Sequence, residues 1–117
     1  MFVDVINYGL ALLTVGLGLF GLIAPRYTAA ALDLEPAGTT MGLSEMRASA
    51  GGLFVALGAF CMLSGADWAF AALGIAYAGS AVGRVTSIVL DQPPMPKAFV
   101  WFLFELLPAV WLISVNL

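Results

Sequence analysis

The sequence predicts an all-α integral membrane protein, an up-down-up-down four-helix bundle forming a single domain over residues 1–117. Three observations carry this reading. Hydrophobic residues make up 62% of the chain and charged residues only 9%, against about half and about a quarter in an ordinary soluble domain. The mean hydropathy is +1.05. The apolar residues fall into four runs, each about long enough to cross a bilayer core of ~30 Å. A chain of 117 residues has too little interior to hide that much apolar surface from water, so lipid is the expected solvent.

The first run, Val5 to Ala24, carries no charge and ends at Pro25 and Arg26. It predicts a helix over 5–24. Gly9, Gly16, Gly18 and Gly21 lie within it, and glycine lets membrane helices approach closely. Asn7 and Tyr8 stand at its start, where an amphipathic aromatic suits the interface. The opening Met1-Phe2-Val3-Asp4 lacks the basic n-region of a secretory signal, and no small-residue cleavage site follows the apolar core. The run is therefore expected to persist as a permanent helix. Arg26 to Thr40 is a polar connection in which Tyr27–Leu32 suggests a short helix on the membrane surface.

The second helix is expected over 43–64. Ala48, Gly52 and Ala56 recur at i, i+4 and i+8, a small-residue stripe suited to tight packing. Gly65-Ala66-Asp67 makes a turn. The third helix is expected over 68–90, with Trp68 at the interface. Pro93, Pro94 and Pro96 predict a stiff extended loop over 91–97. The fourth helix is expected over 98–117, bent at Pro108.

Charge placement orients the bundle. The bases are Arg26, Arg47, Arg84 and Lys97. Arg26 and Arg47 flank the first connection, and Arg84 and Lys97 the third. All four fall on one face of an up-down-up-down bundle. The positive-inside rule makes that face cytoplasmic and puts both termini outside the cytoplasm.

Several function classes drop out. The chain has no histidine and one cysteine, Cys61. The commonest metal ligand and neutral-pH acid/base is missing, and an internal disulfide cannot form. No metal site and no cofactor motif is visible. Without a Lys/Arg cluster there is no case for nucleic acid.

What stands out is charge inside apolar runs. Glu45 and Arg47 enter the second helix, Arg84 lies six residues before Leu90, and Glu105 seven after Ala98. At 1.5 Å per residue, Arg84 and Glu105 lie roughly 9–11 Å from their helix ends. The four side chains are thus expected in one neutral layer in the cytoplasmic half, since charges in lipid face the protein interior in pairs. Tyr77, Ser80, Arg84 and Ser87 form one polar stripe on the third helix. Gly79 and Gly83 beside it suggest contact with another helix. Phe54, Trp101 and Phe102 would wall a groove over the charged layer.

Each member also reads in a plainer way. Glu45 near a helix N-terminus suits the dipole. Glu45 and Arg47, two residues apart, are about 200° around the helix from each other, so both cannot point straight inward. Arg47 is placed to snorkel to headgroups. Arg84 and Glu105 are placed to pin two helices as a structural salt bridge.

Ser44-Glu45-x-Arg47-Ala48-x-x-Gly51-Gly52-Leu53-Phe54, with Gly83-Arg84 in the third run and Glu105 in the fourth, resembles a family of small bacterial membrane proteins known only as a domain of unknown function (DUF4345-like). The resemblance covers most of the chain. It implies a multi-pass four-helix protein of the bacterial inner membrane and carries no activity, substrate or catalytic residue with it. Small multidrug transporters have their membrane glutamate in the first helix, which is uncharged here. Vitamin-K-epoxide-reductase-like enzymes need a C-x-x-C pair that this chain lacks.

The function expected from these residues is binding of a lipid or lipid-soluble small molecule in the charged groove, with its conversion by acid/base chemistry as an extension. Glu105 and Glu45 are the candidate acid/base residues. Arg47, Arg84, Tyr77 and Ser80 are the candidate ligand-binding residues. Two alternatives stand beside it. One is an accessory or structural subunit in which ion pairs fix helix packing. The other is an oligomeric solute or proton-coupled transporter, assembled through the glycine-rich helix faces.

Overall fold

A computed structural model describes residues 1–117, all helix and connecting turn with no strand. The elements are α1 (Phe2–Ile23), α2 (Pro25–Ala31), α3 (Met41–Ser64), α4 (Asp67–Leu90) and α5 (Met95–Asn116). The four long helices α1, α3, α4 and α5 are each long and apolar enough to cross a membrane. Only 17–28% of each apolar window is buried. Leu12, Phe20, Leu53, Leu63, Val82, Val89 and Leu107 are among the large apolar side chains facing outward. An exterior of this kind is stable against lipid rather than water.

The chain divides into two compact units, Phe2–Ser64 and Gly65–Leu117. In the first, α1 and α3 form an antiparallel hairpin with α2 at its turn. A Cβ at Gly58 would stand 2.7 Å from the Ala11 carbonyl oxygen, one at Gly18 2.9 Å from that of Gly51, and one at Gly21 2.5 Å from that of Ala50. Backbone therefore lies directly on backbone along the crossing.

That contact depends on an interruption of α3. Residues Ala48–Gly52 form a π-turn between the α-helical segments Met41–Arg47 and Leu53–Ser64. Ala-Ser-Ala-Gly-Gly resists this widening weakly, because paired glycines have low α-helix propensity. The wide turn rotates everything after it relative to everything before it. The i, i+4, i+8 stripe of Ala48, Gly52 and Ala56 assumed unbroken α geometry. The residues that meet α1 are instead Ala50, Gly51, Phe54, Val55 and Gly58.

In the second unit, α4 and α5 pack as an antiparallel pair. Gly74 is buried, and a Cβ there would stand 2.8 Å from Leu112 Cβ. Gly79 and Gly83 lie on an exposed face, with nothing within 4 Å of where a Cβ would stand, so the packing of α4 on α5 does not use them. The proline-rich loop is shorter than the sequence suggests. Pro94 is the N-cap of α5 and Pro96 sits in its first turn, where the missing N–H has no helical acceptor in any case. Further along, α5 runs without a break through the buried Pro108.

Candidate functional site

Arg84 and Glu105 meet across the α4–α5 pair. Nε of Arg84 donates to Oε1 of Glu105 at 3.1 Å, and Nη2 donates to Oε2 at 2.9 Å. Arg84 lies six residues before the end of α4 and Glu105 ten after the start of α5. Those separations correspond to roughly 9 and 15 Å along the helices. This fork-to-fork geometry is the strongest form of such a pair, and it brings together the two charges that the sequence places inside apolar runs.

The pair does not use all of the guanidinium. Arginine carries five N–H donors, and the bonds to Glu105 come from Nε and Nη2. Nη1 is left open, with the Arg84 side chain 33% exposed and that of Glu105 16%. No buried side-chain nitrogen or oxygen lacks a partner, so the free donors lie on the outer side of the pair. Ser80, one turn before Arg84, is exposed, while Tyr77 and Ser87 are half-buried. Gly79 and Gly83 leave room beside them.

Glu45 and Arg47 find their partners inside the first hairpin. Glu45 is exposed and accepts a hydrogen bond from Ser49 Oγ at 2.7 Å. It is the fifth residue of α3, which begins at Met41, so it is past the first turn and does not cap the helix. The helix start is served locally by Met41 N–H donating to Thr39 Oγ1 at 3.2 Å.

Arg47 Nη1 donates to the Leu22 carbonyl oxygen at 2.6 Å. The reason lies in Pro25. It has no N–H to offer the carbonyl of Gly21, and the chain leaves helical geometry at Ala24 (φ −122, ψ 62). Two backbone bonds cross the junction, Ala24 N–H to the Phe20 carbonyl and Thr28 N–H to the Ala24 carbonyl. The Leu22 carbonyl is satisfied from a different helix, by a cation at the negative end of the α1 dipole. No basic residue lies in the last turn of α1 itself. Replacing Arg47 with glutamine is expected to cost about 1.5 kcal/mol, the low end for a charged hydrogen bond because the side chain is exposed. A lower thermal midpoint, partly restored by Arg47→Lys, checks this.

Of the six predicted site residues, the structure joins Arg84 to Glu105 directly and places Ser80 and Tyr77 on the same helix. Glu45 and Arg47 have partners of their own in the other unit. Sequence reasoning missed Ser49 and the Leu22 carbonyl. The i, i+4 spacing of Glu45 and Ser49 was a usable signal for the first, and Pro25 was one for the second.

The profile of the family described as a domain of unknown function (DUF4345) matches residues 4–115 of this chain. No curated protein and no solved structure matches it.

Proposed function

We propose that this chain, which belongs to the family described as a domain of unknown function (DUF4345), is a four-span membrane protein that binds a lipid-soluble small molecule at Arg84 and Glu105. The observation that carries this is the open Nη1 edge of Arg84, set in an apolar span beside a carboxylate that already takes the other edge. Free N–H donors facing hydrocarbon are costly. A carbonyl, carboxylate or phosphoester oxygen on an amphiphile supplies the missing acceptor. The neutral pair sets no strong charge preference. Ser80 offers a second hydrogen bond, and Gly79 and Gly83 leave a shallow bed for the ligand body.

Acid/base conversion of the ligand is the subordinate reading, because both Glu105 oxygens already accept from the guanidinium. The same bidentate geometry favours a second reading, in which the pair only clasps α4 to α5 within an accessory subunit. In both readings the basic ends of the hairpins face the cytoplasm of a bacterial inner membrane, with both termini on the other side.

Native mass spectrometry of the protein extracted with its own lipids tests the binding reading. Wild type is expected to retain a small amphiphile that Arg84→Gln loses. A wild type free of any bound small molecule, or equal retention by the variant, removes the site.

A further inference from the structure

We propose a second site, independent of Arg84 and Glu105: the junction of α1, α2 and α3 holds the phosphate of an anionic phospholipid headgroup between Arg26 and Arg47. Arg47 is anchored by one bond, Nη1 to the Leu22 carbonyl, which leaves most of its five donors for another acceptor. Arg26 follows Leu22 by four residues. Full extension would separate their Cα atoms by about 14 Å. The actual separation is shorter, because helical residues lie on both sides of Ala24. The Arg47 guanidinium lies at the Leu22 carbonyl, and a long side chain rooted four residues from Leu22 can reach a phosphate held there, where the planar guanidinium fork suits its oxygens.

Neither arginine is already neutralised. Arg26 is exposed, with no hydrogen bond or ion pair, and Arg47 is in no ion pair. The acids of this hairpin end are Glu45, Asp33 and Glu35. Glu45 is engaged by Ser49. Asp33 and Glu35 lie beyond α2, seven and nine residues from Arg26.

Depth is marked independently. Tyr27, next to Arg26, is 68% exposed and lies 6.2 Å, centroid to centroid, from Phe20 on the last turns of α1. An exposed tyrosine beside an apolar aromatic at a span end belongs at headgroup level. Arginines there meet the anionic lipid surface, with each base contributing about fivefold in affinity.

The test places the full chain in nanodiscs of mixed phosphatidylglycerol and phosphatidylcholine and counts retained lipids by native mass spectrometry. Wild type is expected to retain phosphatidylglycerol selectively. Arg26→Gln, which breaks no contact in the protein, is expected to lower that retention about fivefold, and Arg47→Lys to weaken it by removing the fork. Lys97→Gln, at the basic end of the other hairpin, is expected to leave it unchanged. An equal loss from Lys97→Gln would mean general charge attraction and overturns the site, as does unchanged retention in Arg26→Gln. Displacement of the lipid by inorganic phosphate at millimolar concentration would make free phosphate the ligand and also overturns the proposal.

Discussion

Replacing Gly51 with leucine is expected to destroy the α1–α3 hairpin. A Cβ at position 51 would stand 2.6 Å from the Leu22 backbone nitrogen and 2.8 Å from its Cα. These are main-chain atoms and cannot rotate away as a side-chain tip would. Overpacking a core ordinarily costs about 1–3 kcal/mol. Forcing two helix backbones apart should exceed that range, because the Arg47 bond to Leu22 and the close approaches at Gly18 and Gly21 are lost with it. A domain of ordinary stability, about 5–15 kcal/mol, would retain little. The measurement is size-exclusion behaviour and thermal midpoint in mild detergent, where Gly51→Leu should run as an aggregate. Gly51→Ala, which adds only the clashing Cβ, should lose much of the stability as well, and Gly16→Ala on α1 is its matched control. Nothing lies within 4 Å of a Cβ there, so its midpoint should hold or rise, since alanine favours helix over glycine by about 1 kcal/mol. Equal behaviour of the two alanine variants would contradict the packing described for this hairpin.

The second large effect is expected from Arg84→Ala. It leaves the Glu105 carboxylate, 16% exposed, unpaired in an apolar span. Breaking one side of a buried pair costs about 3–5 kcal/mol. With Arg84 itself a third exposed, the loss should be about 3 kcal/mol. Glu105→Gln should cost less, because the guanidinium it leaves without a counter-ion is the more exposed partner and keeps an amide oxygen as acceptor. The double variant Arg84→Met with Glu105→Leu should recover most of the stability, as apolar replacement of a whole pair often does. Thermal midpoints of wild type, Arg84→Met, Glu105→Leu and that double variant make a double-mutant cycle. A cycle that sums with no coupling would show that the pair does not hold α4 to α5.

What was legible in the sequence follows from where the physics is one-sided. Four apolar runs have one solvent available to them, so their number and rough limits could be read directly. Arg84 and Glu105 could be singled out because an unpaired charge at membrane depth is costly enough to force a partner, but which of the four charges pair was not legible, since helix order around a bundle is not written in up-down topology. Arg47 could not be matched, since its partner is a backbone carbonyl, which every residue carries. Only the effect of Pro25 on the end of α1 distinguishes Leu22.

The packing face of α3 was misread for a related reason. Periodicity arguments assume 3.6 residues per turn, and the π-turn at Ala48–Gly52 breaks the count in mid-span. The plainer reading of Glu45 as a charge at the helix N-terminus depends on a start at Leu43, whereas α3 begins at Met41. Three prolines in four positions read as a loop, although Pro96 occupies a first-turn helix position that tolerates it.

The central claim is that Arg84 and Glu105 present a site and do more than close a clasp. A charge swap, Arg84→Glu combined with Glu105→Arg, separates the two roles. The swapped protein keeps a pair between α4 and α5 and moves the open guanidinium edge to the other helix, away from Ser80 and the exposed glycines. Native mass spectrometry of that protein in its own lipids is the direct measurement. The expected result is a thermal midpoint restored toward wild type and loss of the amphiphile held at Arg84, with any phospholipid at Arg26 and Arg47 kept. A swapped protein that keeps a bound small amphiphile which Arg84→Gln loses would contradict the site.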